Sequence, residues 1–250
     1  MNKKFFLQED LSLIFNYLFE KYCCERIVLL NVDTQTLLYK YVKTSPFRVS
    51  ETFSESVAVK IPETYEDWFT SLSKSTKQNI RTAYNRLKTD AVKLKVFHYD
   101  GKIPLYLNRK LMYLQRKRNL EKDGRSYGFM TKLLCYIGSW LSLINPRCLM
   151  LSRSQQTFLT YITLNGKIAS FVGGFKSNNG RFVIPFLKYN SKFNRYSPGG
   201  LVINESIRKM RSLNSFNIQS YDLLTGNEPY KFTYGGLLYQ NSNLVVEKRC

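Results

Sequence analysis

Tyr196, Ser197, Pro198, Gly199, Gly200 and Leu201 follow an apolar run and open a helical pattern. Small residues at a helix N-terminus leave backbone N–H groups approachable, and the helix dipole adds positive potential. Such a loop can hold a phosphate or pyrophosphate. Pro198 lacks an N–H but suits the first turn of the helix. Beyond the next strand, Tyr221-Asp222-Leu223-Leu224-Thr225-Gly226-Asn227-Glu228-Pro229-Tyr230-Lys231 supplies acids, a glycine turn and a Tyr-Lys pair. A phosphate cradle followed by titratable groups is the layout of an enzyme that uses a nucleotide-tethered donor. Without that function, the first run is a plain helix cap and the second a hydrogen-bonded loop.

The elements that must position these residues show in the hydrophobic periodicity. Leu11, Ile14, Phe15, Leu18 and Tyr22 predict a helix over about 9–22. Arg26–Val32 reads as a buried strand, 33–55 as polar and irregular, and Ser56–Lys60 as a strand stopped by Pro62. Glu63–Phe69 starts a short helix with acids in its first turn, where the dipole favours them. Ser73 or Ser75 caps a helix over 75–89 with Ile80, Tyr84 and Leu87 inside. Lys74, Lys77, Arg81 and Lys88 run beside that stripe, as a solvated flank or as a contact for an anionic acceptor; Lys77 and Arg81 are the acceptor-binding candidates. Val92–Phe97 reads as a strand. A helix over 103–119 has Leu107, Leu111 and Leu114 inside and Arg109, Lys110, Arg116, Lys117 and Arg118 outside. Glu121–Arg125 reads as a turn.

Leu133, Ile137, Trp140, Leu141 and Ile144 predict an amphipathic helix closed by Asn145-Pro146, with Cys135 in the core. From 147 the pattern becomes four consecutive strands: Cys148–Leu151, Thr157–Leu164, Lys167–Phe175 and Arg181–Leu187. Asn165-Gly166 is a two-residue hairpin signal and Ser177–Gly180 a second turn. Helix 198–213 packs through Val202, Ile203, Ile207, Met210 and Leu213. Strands at Asn217–Leu223 and Leu237–Val246 follow. The element order implies an α+β fold with one mixed, mostly antiparallel central sheet flanked by helices.

Composition bounds the rest. The 250 residues carry 44% hydrophobic residues, enough for a core, and a net charge of +20. That charge fits a nucleotide, nucleic acid, anionic glycan or membrane-surface partner, or simply a basic, soluble chain. Five cysteines (Cys23, Cys24, Cys135, Cys148, Cys250) match no CxxC pattern and fit a reduced intracellular chain. One histidine, His98, at a strand end, is expected to be structural and excludes a histidine-rich metal site; no metal is expected. Met1–Leu7 begins like a signal peptide, but Gln8-Glu9-Asp10 interrupts it. No apolar run reaches the ~18 residues of a membrane span, and a cytoplasmic location is expected.

Three stretches carry a family resemblance: Leu72–Arg81 with Arg86; Asn165–Ser170, then Tyr189 and Tyr196-Ser197-Pro198-Gly199; and Asp222 with Gly226, Glu228, Tyr230 and Lys231. In this order and spacing, over about 60–240, the chain resembles GNAT-type acyltransferases, most closely the exopolysaccharide and cellulose-biosynthesis branch, relatives of the Fem-type aminoacyltransferases. The usual GNAT loop is Gln/Arg-x-x-Gly-x-Gly/Ala; in Arg195-Tyr196-Ser197-Pro198-Gly199-Gly200 only the basic start and the glycines agree.

The resemblance implies a GNAT-like domain over 61–250, preceded by a partial GNAT-like half over 1–60. It implies acetyl-CoA or a longer acyl-CoA as donor. Phe186, Leu187, Lys188 and Tyr189 would run along the pantetheine arm. Tyr196, Ser197 and the amides of Gly199, Gly200 and Leu201 would take the pyrophosphate. Asp222 or Glu228 would serve as base or acceptor-orienting group, Tyr230 (with Tyr234 as rival) as acid toward the thiolate, and Lys231 as charge partner. The acceptor would be an amine or hydroxyl of a sugar nucleotide or cell-envelope precursor. Two further functions stay open: Fem-type transfer from an aminoacyl-tRNA, and a non-catalytic binder of nucleic acid or another anionic polymer.

Overall fold

The computed structural model describes residues 8–123, 128–177, 179–213 and 217–248. Met1–Leu7, Gly124-Arg125, Asn178 and Cys250 lie outside them. In chain order the elements are α1 (Gln8–Lys21), β1 (Arg26–Asp33), α2 (Leu37–Lys43), β2 (Arg48–Lys60), α3 (Tyr65–Ser71), α4 (Lys74–Thr89), β3 (Leu94–Asp100), α5 (Leu105–Lys122), α6 (Phe129–Leu141) and α7 (Pro146–Arg153). Then come β4 (Thr157–Leu164), β5 (Lys167–Lys176), β6 (Arg181–Tyr189), a 3₁₀ turn (Ser191–Tyr196), α8 (Pro198–Arg211), β7 (Ser220–Thr225), α9 (Pro229–Thr233) and β8 (Gly236–Glu247). The fold is α+β, with a mixed, mostly antiparallel sheet and flanking helices.

The chain forms two compact units. The first comprises Met1–Ala58, Thr225–Pro229 and Leu237–Cys250; the second, Val59–Leu224 and Tyr230–Gly236. In the first unit β8 lies between β1 and β2, with β1 antiparallel to β8 from Arg26↔Glu247 to Asp33↔Asn241. Its core is Phe15, Phe19, Val32, Val42, Phe47, Leu244 and Val246. Residues 33–55 are not irregular, as their polar composition suggests. Thr36 caps α2 by accepting the Tyr39 amide N–H at 3.3 Å. Glu51, on the polar part of β2, accepts from the Tyr39 hydroxyl at 2.9 Å and pairs with Lys43 at 2.6 Å. The strand there is also specified by its sheet neighbour β8, distant in sequence, which composition does not reveal. β1 is also less buried than its apolar run suggests: Val28 and Leu30 are exposed.

In the second unit the strand order is β7-β6-β5-β4-β3, antiparallel except for the parallel pair β6–β7. Period-2 alternation along β4 sends Phe158 and Ile162 to one face and Leu159 to the other; Phe182 joins the first face, against α3, α4 and α8, and Phe171 and Phe186 the second, against α5 and α7. Asn165 and Gly166 both have positive φ (47° and 77°), the geometry of the expected two-residue hairpin. Ser73 caps α4, accepting the Thr76 amide at 3.1 Å.

Three expectations fail here. Cys148–Leu151 belongs to helix α7, not to a strand, so three strands follow rather than four. The Asn108 amide donates to the Cys148 carbonyl (2.8 Å) and the Ser152 hydroxyl (2.9 Å), and Leu151 is fully buried. Four apolar residues cannot by themselves distinguish strand from helix. Lys117, expected outside, is 7% exposed; it pairs with Glu121 at 3.6 Å and donates to Asn190 Oδ1 at 3.3 Å. The stripe that marks α6 is also not the face it buries: Cys135, Gly138 and Ser139 point inward, while Leu133, Ile137, Trp140 and Leu141 are exposed.

Gly174 sits where the β5–β6 register shifts, between Gly173↔Phe186 and Phe175↔Val183. A Cβ there would lie 2.0 Å from the Val183 carbonyl oxygen. We expect Gly174→Ala to destabilise the second unit by about 2 kcal/mol or more in urea denaturation, since strand backbone must move. A loss under about 0.5 kcal/mol would show that the bulge does not hold this geometry.

Candidate active site

The parallel β6–β7 ladder has three rungs: Arg181↔Ser220, Phe182↔Tyr221 and Val183↔Asp222. It then stops, although β6 runs on to Tyr189 and β7 to Thr225. At the last rung Asp222, 2% exposed, uses both carboxylate oxygens. Oδ2 lies 3.0 Å from Arg181 Nε and Oδ1 accepts the Leu224 amide at 2.9 Å. Leu224 has φ +59°, so β7 turns at that residue. Buried Lys231 fixes the turn, donating from Nζ to the Leu224 carbonyl at 3.1 Å. On β6, Pro185 stands just past the last rung; lacking an N–H, it suits a strand segment without a ladder on one side. The two strands therefore part in a wedge, with Asp222 and Lys231 at its apex and Phe186, Leu187, Lys188 and Tyr189 along one side.

Past β6, the 3₁₀ turn leads to Ser197 in the left-handed region (φ 46°, ψ 52°) and then to Pro198 at the first position of α8. The left-handed residue reverses the chain so that the helix points its N-terminus back toward the β6 end. The amides of Gly200 and Leu201 both donate to the Ser197 carbonyl, at 3.0 and 3.1 Å. Tyr196 and Arg195 are both tied to Asp90 at the end of α4. The Tyr196 hydroxyl donates at 2.9 Å, and Arg195 donates twice, at 2.9 and 3.2 Å. The Tyr196 hydrogen bond, followed by Arg195, holds the Asp90 carboxyl below its ordinary range; Asp90 in turn raises the Tyr196 phenol.

Aromatic side chains close on the two glycines. A Cβ on Gly199 would meet the Tyr189 ring at 3.6 Å, and one on Gly200 would lie 2.6 Å from the Tyr234 hydroxyl oxygen. Arg118 steadies Tyr189: its guanidinium lies 4.4 Å from the ring centroid and donates to the hydroxyl at 2.5 Å. Tyr234 is largely buried, and that burial, with Tyr230 nearby, pushes its phenol up to about 12. It is a protonated donor throughout the neutral range. Tyr230 is 42% exposed.

Beside the end of β6 lies a cavity of about 920 Å³, bounded by α5, α6, the Asn165-Gly166 turn and the 3₁₀ turn. Arg109, Lys110, Lys117, Lys132, Lys167 and Lys192 line it, and none of its described lining residues is acidic. Such a surface suits phosphate or another multiply charged anion. Lys77 and Arg81 are not among those residues. The Lys77 amine donates to the Thr70 carbonyl at 2.9 Å, and Arg81 lies 5.8 Å from the Phe69 ring centroid. Glu228 belongs to the first unit, with its carboxylate against Gly226. His98 Nδ1 lies 3.0 Å from Thr160 Oγ1 on the neighbouring strand, and burial lowers its pKa.

Sequence reasoning thus placed Asp222, Lys231, Gly199, Gly200 and the end of β6 in one unit. It missed the Arg181–Asp222 pair, the cationic lining of the cavity and the contact of Tyr234 with Gly200. Only the last had a signal, a tyrosine just beyond the Tyr-Lys pair.

The Gly200 contact can be measured. Ala for Gly inside a helix ordinarily stabilises by about 0.5–1 kcal/mol. Gly200→Ala should instead destabilise by about 1 kcal/mol, because its methyl meets Tyr234 Oη. In a Tyr234→Phe background the nearest ring atom is 3.8 Å away, and the penalty should vanish. Additive effects in the double-mutant cycle would contradict the contact.

Residues 146–232 match the family model described as an acetyltransferase (GNAT) domain. No curated protein matches the chain. Among solved structures it is similar to FemX (TM-score 0.60, 10% identity, covering 95% of this chain and 76% of that one). It is similar to a conserved protein of unknown function from Bacteroides thetaiotaomicron (TM-score 0.58, 14% identity, 96% and 76%). It is also similar to L-PGS from Bacillus licheniformis (TM-score 0.52, 12% identity, 95% and 72%). The wedge between β6 and β7, the α8 N-terminus and these likenesses give the chain a GNAT-like fold, with its GNAT-domain match over α7 to α9.

Proposed function

We propose that this protein is an acyltransferase that moves an acetyl or longer acyl group from acyl-CoA to an amine, or a hydroxyl, of an anionic acceptor. A sugar nucleotide or other cell-envelope or polysaccharide precursor is the acceptor class that fits the resemblance, and the work would be done in the cytoplasm by the domain over 61–250. One observation carries the reading. Two parallel strands part after three rungs, next to a helix N-terminus that has Gly199 and Gly200 under two tyrosines. A thioester arm can enter such a wedge and hydrogen-bond to β6 beyond its last rung, with its phosphates at the α8 N-terminus or in the cationic cavity.

The acceptor's lone pair attacks the thioester carbonyl carbon. The C–S bond then breaks and the sulfur leaves with its electron pair. Tyr234, kept protonated, donates to the leaving sulfur and supplies its proton; the acceptor sheds its own proton to solvent, and solvent returns one to the Tyr234 phenolate. This assigns to Tyr234, which faces Gly200, the role expected first of Tyr230, which is 42% exposed, with Tyr234 as its rival. Asp222 and Lys231 act by position: they hold the turn that keeps the wedge open. Metal plays no part in this scheme.

A second reading has its own support. The likeness to FemX spans 95% of the chain, and a charge of +20 suits an RNA-borne donor, since phosphate neutralisation dominates such affinity. In Fem-type transfer from an aminoacyl-tRNA, Tyr234 would serve a leaving ribose oxygen instead of sulfur.

Turnover separates the readings. Acetyl-CoA or a longer acyl-CoA should release free thiol when a sugar-nucleotide amine is present. Tyr234→Phe should lower kcat about 100-fold with little change in the donor's KM. Thiol release that is indifferent to Tyr234→Phe would remove the acid assigned here. Transfer from aminoacyl-tRNA with no thiol release from any acyl-CoA would establish the second reading, and activity with neither donor would overturn both.

A further inference from the structure

Helix α6 is turned inside out relative to an ordinary surface helix. Its inward face is small: Cys135, Gly138 and Ser139 are buried, and a Cβ on Gly138 would strike the Arg116 side chain at 2.8–2.9 Å. The outward face carries Phe129, Met130, Leu133, Leu134, Ile137, Trp140 and Leu141, all exposed, Phe129 at 80%. At 100° per residue these side chains cover one continuous arc of the helix. Ile144, just beyond, is exposed too. A patch of this kind on a soluble surface marks a contact surface.

Charge decides what it contacts. Residues 124–204 contain ten Lys or Arg and no Asp or Glu. On α6 itself the one charge is Lys132, which flanks the apolar arc. Arg109, from α5, lies 4.5 Å from the Trp140 ring centroid and 5.5 Å from that of Tyr136. The surface is therefore a convex apolar ridge edged by cations and by amphipathic aromatic rings, with no acid on the ridge. A second copy of this chain would bring a further +20 against it. A nucleic acid would leave Leu133, Leu134 and Ile137 without a complement.

We propose that α6 docks the protein on the surface of an anionic lipid bilayer, its apolar ridge at the headgroup boundary and the flanking cations on lipid phosphates. This requires no spanning segment, and among the described residues no helix is long and apolar enough to be one. Docking would put the cationic cavity, which Lys132 and Tyr136 of α6 help to line, beside the membrane surface.

The protein carries its own probe. Trp68 is buried at 1% and Trp140 is 50% exposed, and these are its two tryptophans. The full chain should co-sediment with 1:1 phosphatidylcholine–phosphatidylglycerol vesicles, with a blue shift of Trp140 emission, and at least tenfold less with phosphatidylcholine alone. Leu133→Ser/Ile137→Ser, both on the exposed face, should keep the wild-type thermal midpoint and lose most of the sedimentation. Equal partitioning with and without the anionic lipid would overturn the proposal. So would sedimentation without a Trp140 shift that the double variant leaves unchanged, which is charge attraction alone. Concentration-dependent dimerisation that buries Trp140 while vesicles stay unbound would assign the ridge to a second copy.

Discussion

The site rests on the ion pair between Arg181 and Asp222. Both partners lie on the parallel strands β6 and β7, at 3.0 Å, and the carboxylate is almost completely buried. A buried carboxylate needs all its oxygens engaged, and losing one partner of such a pair costs about 3–5 kcal/mol. Asp222 meets that demand with one oxygen on Arg181 and the other on the Leu224 amide. The second bond turns β7 in the left-handed region at Leu224, and the Lys231 amine holds the resulting carbonyl. The ladder therefore ends where it does because the residue on its last rung spends its side chain on its own strand's turn. The wedge beyond it, and hence the place where a donor can lie, follows from that local choice.

A second constraint acts at the start of α8. Ser197 occupies a conformation that costs an L-residue about 1 kcal/mol or more. Asp90 compensates by tying down Tyr196 and Arg195 immediately before it. The residues that look in sequence like the basic start of a phosphate loop thus serve to brace it. The long-range network of Tyr65, Tyr84, Asn204 and Arg208 then locks α8 onto α3 and α4. The geometry around Gly199 and Gly200 is therefore fixed from both ends, as a binding site requires.

What the sequence revealed divides along physical lines. Signals confined to a few residues were legible: the Asn165-Gly166 hairpin, the Ser73 cap, Pro198 at the start of α8, and the strand runs of β4 to β6 between their turns. Asp222, Lys231 and the two glycines fall in one compact unit. Features decided by distant partners were not legible. β2 is a strand despite its Ser, Thr and Glu residues, and α7 is a helix because Asn108 reaches its backbone. Lys117 is buried because distant Asn190 accepts its hydrogen bond, beside the charge of Glu121 one turn along the helix. The apolar stripe of α6 identified the helix correctly but not its direction, since periodicity shows that a face exists and not what covers it.

The central claim is that the β6 segment past the last rung, residues 184–189, receives the donor. Hydrogen exchange of its backbone amides, with and without saturating acetyl-CoA, tests this most directly. Slowing concentrated at Ile184, Phe186, Leu187, Lys188 and Tyr189, extending to Gly199, is the expected result. Saturable binding that leaves these amides unchanged and protects another surface would contradict it.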